Sequence, residues 1–364
     1  MGKGTFLTLF VFAVQVAGYA QIPQKEIEIN LPELYQEVDD AIDQSAKFVN
    51  AYEGKIDELK KSLAGADSEN QRLVILTQIA QMYESLNGDS ALAYTMLCTK
   101  TARDLDMSDA EADYQAREAY LCTFLGSQTE ALTLLKRVDR TKLTDEGVAI
   151  YFRAYLSSYE TLSDNCKTPE LREHFHQQHM LYLDSLLSTV AEESEFYYFY
   201  REDQLIKQGK LDQALKMNDA RLNQSAPRSH QDAIIAYSRY RIYQAKADRE
   251  KALYWLCRSA LADIRNAVMD QMSLISLAKE LDKEGDFERA NRYISYTWEC
   301  NRRYSPHMRS WQIAPLLSSI EHNYEAKLDQ KNRQLTMYTI AFLVLVSGLL
   351  LRHMFLRKKK DVEE

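Results

Sequence analysis

The chain has 364 residues, 46% of them hydrophobic and 27% charged, with only 11 glycines and 6 prolines. Such a chain can bury a sizeable core but is poor in turn formers, so a largely helical fold with almost no strand is expected. The formal net charge of -8 argues against nonspecific attraction to nucleic acid or anionic lipid, which points instead to a protein, peptide or glycan partner.

Residues 1–20 read as a secretory signal peptide. Lys3 supplies a positive start, residues 6–17 form a short apolar run, and Gly18 and Ala20 are small residues at the cleavage positions. The mature chain would then begin near Gln21, outside the inner membrane.

Residues 21–70 carry a heptad helix. Tyr35, Val38, Ile42, Ser45, Val49, Tyr52, Ile56, Leu59 and Leu63 advance in steps of three and four, the seam of one long helix of about four heptads. A dimeric coiled coil and an amphipathic helix laid against its own chain both fit. Ser45 and the seam tyrosines do not specify a tight two-stranded core, which favours the second.

Residues 71–305 show an internal period. Gly88, Gly126, Gly209, Ala247 and Gly285 each precede an alanine by five residues: Ala93, Ala131, Ala214, Ala252 and Ala290. The spacings are 38, 83, 38 and 38, and 83 is two periods of 38 plus seven. Six helical hairpins stacked into a solenoid follow, each with a small alanine that lets its second helix approach the first. The unit without a turn glycine is placed at residues 145–162 and 169–191, its second helix opened by Thr168 as cap and Pro169 at the first helical position.

The stretches GKLDQAL from Gly209, ADREKAL from Ala247 and GDFERAN from Gly285 resemble the turn and second-helix start of tetratricopeptide repeats (TPR). The spacing of Leu274, Leu277, Ala278 and Leu281 resembles that motif's first helix. The resemblance implies an all-α, TPR-like solenoid, although the period here runs four residues long.

A wider resemblance rests on VDDAIDQSAKFVNAYEGKIDELKKSL, on DSALAY, and on the segment from ERANRYISYTWEC to IEHNYEAKL. These are similar to an uncharacterised Bacteroidetes family of membrane-anchored TPR proteins labelled transcriptional regulators. Many members of that family carry a cytoplasmic coiled coil and a helix-turn-helix-like domain beyond the membrane helix. Here the sequence stops at Glu364, so no nucleic acid is expected as a partner of this chain alone.

Residues 306–334 form a stalk, with Leu317, Ile320, Tyr324, Leu328, Lys331 and Leu335 again in steps of three and four. Residues 335–356 are the membrane helix. Its uncharged run is bracketed by Arg333 and Arg352, and it reaches across a bilayer core of about 30 Å if Arg352 snorkels. Arg357, Lys358, Lys359 and Lys360 make the tail, residues 357–364, the more basic flank. The tail should therefore stay in the cytoplasm and the repeats in the periplasm, in a single-pass inner-membrane protein.

No reaction-competent constellation is present, so the chain is read as not an enzyme, with no cofactor and no metal. His174, His176 and His179 do not share one helical face. The five cysteines are widely spaced and most read as small buried hydrophobes, with Cys98 and Cys122 open to a bridge across neighbouring helices. Candidate partner-binding residues are Tyr197, Tyr198 and Tyr200 in an aromatic run, with Tyr237 and Tyr240 farther on. The expected function is a periplasmic scaffold or sensor for a protein or peptide, with a homodimer through the heptad or stalk helices as an option. The alternatives are a signalling or transcription-regulatory protein cut short of its effector domain, and a glycan-binding envelope protein.

Overall fold

The computed structural model describes residues 29–304 and 310–363, with side chains described over 29–302 and 313–354. The signal segment and the side chains of Arg357, Lys358, Lys359 and Lys360 lie outside the described residues. Within the described residues the chain is all α, with fifteen helices and no strand.

The heptad segment forms two helices where one was expected. α1 spans Leu31–Asp43 and α2 spans Ser45–Ala64, with a break at Gln44. The seam divides because its halves have different partners. Tyr35, Val38 and Ala41 join a core formed by later helices, whereas Val49 and Ile56 join one with Ile75 and Ile79. Both halves pack on their own chain, as an amphipathic helix rather than an exposed coiled-coil seam.

Six hairpins follow. They are α3 (Glu69–Leu86) with α4 (Gly88–Asp104), α5 (Ser108–Phe124) with α6 (Gln128–Leu135), and α7 (Asp145–Asn165) with α8 (Pro169–Thr189). Then come α9 (Glu195–Lys207) with α10 (Leu211–Gln224), α11 (His230–Ala245) with α12 (Arg249–Arg265), and α13 (Met272–Glu284) with α14 (Phe287–Tyr304).

Gly126, Gly209 and Gly285 turn the chain in the left-handed region at φ 81°, 72° and 82°, and Ala247 does so at 57°. Two residues later the second helix begins, and its fourth residue is a buried alanine: Ala131, Ala214, Ala252 or Ala290. The first hairpin departs from this rule. Asn87 makes its turn in an extended conformation and caps α4 by accepting from Ser90 N, so Gly88 is already the first residue of the helix. The fourth residue is then Ala91, fully buried, while Ala93 is exposed. Gly88 and Ala93 therefore do not play the roles assigned to them; the turn is two residues shorter. In the third hairpin Pro169 opens α8, but the Thr168 side chain makes no cap bond. The fourth residue there is Arg172, whose Nε donates to the Cys166 carbonyl at 2.9 Å.

The N-terminal pair joins the two ends of this stack. α1 lies along α12 and reaches α14: Arg289 Nε donates to Asp39 Oδ2 at 3.0 Å, Arg292 to Asp43 Oδ1 at 2.7 Å, and Tyr293 OH to the Tyr35 carbonyl at 3.2 Å. α2 lies along α3 of the first hairpin. Leu86 of that hairpin, Ala267 and Met269 of the loop before α13, and Cys300 of α14 share one core with α2.

α15 runs unbroken from Ser310 to Glu363. Ile313 and Ile320 are buried against α13 and α14, and Asn323 Nδ2 donates to Asp282 Oδ1 at 3.0 Å. Beyond that point the helix leaves the repeats. Leu335, Phe342 and Leu350 are 56%, 65% and 59% exposed, and the helix is long and apolar enough there to cross a membrane.

Candidate partner-binding face

The first helices of the hairpins, α3, α5, α7, α9, α11 and α13, are tied edge to edge by a ladder of side chains. Arg117 on α5 donates through Nη1 to Glu84 on α3 and through Nη2 to Glu146 on α7, at 2.5 and 3.0 Å. Next, Arg153 on α7 donates through Nη2 to the Tyr120 hydroxyl on α5 at 2.6 Å. Its guanidinium lies over the Tyr120 ring at 4.6 Å and over the Phe196 ring on α9 at 5.0 Å. Arg241 on α11 then donates to Asp203 on α9 at 2.7 Å. Last, the Tyr237 hydroxyl on α11 meets Ser276 Oγ on α13 at 3.1 Å. One polar and aromatic row thus crosses all six units.

The charges on this row are mostly neutralised in place. Burial works against ionisation of Asp203, but Lys207 and Arg241 outweigh it and hold the carboxyl below its usual range. Burial pushes the Tyr120 phenol up to about 12, against the pull of Arg153, so it stays a protonated hydroxyl. Where α2 meets α3, an open groove is lined by Tyr52, Lys55, Glu58, Leu59, Gln78 and Gln81. The Tyr52 hydroxyl donates there to the Met82 carbonyl at 3.1 Å.

The tyrosines picked out by the sequence divide. Tyr197 and Tyr198 are half-buried on the first turn of α9, their rings 6.5 Å apart and edge to face. Tyr200 is half-buried beside Arg153, and Phe199 is 37% exposed with its ring 5.1 Å from Tyr200. Tyr237 is half-buried on the row. Tyr240 is 6% exposed and belongs to the core, its hydroxyl accepting from Gln244 Nε2 at 2.8 Å. It is therefore a packing residue and is not available to a partner. Three residues on, about 60° around the helix, Tyr240 lies in one core with Ala252 and Leu256 of α12.

His179 is buried and donates from Nδ1 to the Leu156 carbonyl at 3.2 Å, whereas His174 and His176 are exposed. Among the described residues no group of His, Cys, Asp and Glu is placed to hold a metal ion. Arg117, Arg153 and Arg241 escaped the sequence reading. Arg117 and Arg241 stand at unequal distances from Ala131 and Ala252, the third hairpin has Arg172 in place of the alanine, and nothing marks an arginine that bridges helices until the helices are adjacent.

A comparison with curated proteins found no match. A family model described as the SusR N-terminal TPR domain matches residues 42–315, from the end of α1 to the start of α15. That span takes in every hairpin and most of the chain, and so the chain belongs to the family of the SusR N-terminal TPR domain.

Proposed function

We propose that this chain is a membrane-anchored periplasmic scaffold or sensor that holds a protein or peptide partner on the row of first helices. The observation that carries the reading is the ladder from Glu84 to Ser276, which offers a partner paired charges and half-buried rings on consecutive, rigidly spaced helices. Repeat stacks present extended surfaces of this kind. α15 supports a relay: a helix that is buried against α13 and α14 at Ile313 and Ile320 and continues without a break into an apolar span would carry a displacement of the repeats to the basic tail and a cytoplasmic effector.

The heptad seam of α1 and α2 is occupied within its own chain, so a homodimer would form through Tyr324, Leu328 and Leu335 on the stalk. A photo-crosslinking residue at Tyr197 or Tyr237 in living cells should capture one discrete partner that the same residue at Lys100, on the outer helix α4, does not. Equal capture at both places, or at neither, contradicts the reading.

A further inference from the structure

Arg153 differs from the other arginines of the row. Arg117 has two carboxylates and Arg241 has one. Away from the row, the buried Arg221 has two and Arg239 has one. Arg153 makes no ion pair among the described residues. Its contacts are the Tyr120 hydroxyl, the faces of Tyr120 and Phe196, and the neighbouring Tyr200, and its Nε is buried with no hydrogen-bond partner.

A guanidinium stays charged, and an unused buried donor is costly; Glu84 supports this charge only from a distance and Tyr200 bonds to it, so the site keeps an open Nε donor with no carboxylate in contact. The faces of Tyr120 and Phe196 fix the orientation of the fork. The place matters too. The third and fourth hairpins approach each other mainly through α8 and α9 and are the least closely packed neighbours in the stack, and Arg153, Phe196 and Tyr200 sit between them.

Resting on the partner-binding reading of this face, we propose that the Arg153 cage receives a carboxylate of the partner, with the group beside that carboxylate lying against Phe199 and Tyr200. The partner is then an acidic peptide segment. Its carboxylate comes from an Asp or Glu side chain or from a chain terminus, and either would form the charge-assisted bonds that Glu84 and Asp203 make elsewhere on the row.

Two fluorescein-labelled probes separate the sources: hexaglutamate with an amidated end, and hexaglutamine with a free carboxyl end. Each is titrated by anisotropy into the detergent-solubilised full chain. Binding of hexaglutamate assigns the side chain, and binding of hexaglutamine assigns the terminus. In both cases Arg153→Lys, which keeps the charge but loses the fork, should weaken binding roughly tenfold. Arg153→Gln should weaken it further, and Arg302→Gln, an exposed arginine on α14, should leave it unchanged. Arg153→Lys serves as the test if the glutamine variant does not fold. The proposal is overturned if neither probe binds the wild type, or if the lysine variant binds as well as the wild type. Discrete capture at Tyr197 in cells that persists undiminished in Arg153→Gln would remove this inference and leave the partner-binding face standing.

Discussion

The backbone N–H of Met269 donates to the carbonyl of Ser85 at 2.7 Å. Ser85 is near the end of the first helix of the first hairpin, and Met269 is in the loop that leads into the sixth. A hydrogen bond between them means that the stack bends far enough for its ends to meet, and α1 and α2 seal the joint. The row of first helices therefore runs around a closed set of helices, which limits how far neighbouring hairpins can spread.

The fifth and sixth hairpins share a titratable brace, and its pH dependence follows in sign. His230 Nδ1 lies 3.0 Å from Asp263 Oδ1, and Asp263 Oδ2 accepts from Ser273 Oγ at 3.0 Å. Burial alone would lower the imidazole, but the hydrogen bond and charge of Asp263, with Asp270 nearby, outweigh it and the pKa is raised. A raised histidine contributes stability that is complete below its unfolded value of about 6.5 and is lost as pH climbs through the folded value. Burial also raises Asp263, against the pull of His230. The stability difference between wild type and His230→Gln, measured by urea unfolding, should shrink steadily from about pH 6 to pH 8. A difference that grows over that range contradicts the assignment.

Ala247 sits where three other hairpins have glycine, at φ 57°. An L-residue in the left-handed region costs about 1 kcal/mol or more, so Ala247→Gly should raise stability by up to about that amount. Gly285→Ala should cost a similar amount, because a Cβ there meets only Phe287 at 3.9 Å and the penalty is purely backbone. Thermal melts of the two variants should move in opposite directions.

Alanines of equal period are not equivalent. Ala290 is fully buried between α13 and α14, so Ala290→Leu should overpack the hairpin by roughly 1–3 kcal/mol. Ala93→Leu, on an exposed face, should change stability by no more than about 0.5 kcal/mol. Chemical denaturation of both variants checks the two-residue shift of the first hairpin.

That shift shows how far the sequence was legible. The repeat period reports the four hairpins whose turns need a left-handed residue, because glycine is the sequence trace of that backbone. Asn87 turns the chain in an extended conformation and leaves no such trace, so a neighbouring glycine took its place in the pattern. Likewise the heptad seam from Tyr35 to Leu63 identifies an apolar stripe but not what covers it, and two different partners break the helix at Gln44. The row of arginines was the least legible part, since its meaning lies wholly in contacts between units.

Arg221 tests the interior of the fourth hairpin. Its guanidinium is buried and pairs with Glu195 on α9 and with Glu202, itself 1% exposed. Arg221→Met leaves Glu202 without a counter-charge and should cost about 3–5 kcal/mol. Replacing Glu202 by Gln in the same variant should recover part of the loss, which a double-mutant cycle measures.

Topology decides whether the rest has a meaning, and it can be read directly. Single cysteines are introduced at Lys100 on α4 and at Lys331 just before the apolar span, in a chain whose native half-exposed Cys166 is replaced by serine. Intact cells permeabilised only at the outer membrane are then treated with a membrane-impermeant maleimide. The account predicts labelling at both positions without lysis of the inner membrane. Labelling that appears only after the inner membrane is broken would place the repeats in the cytoplasm and contradict it.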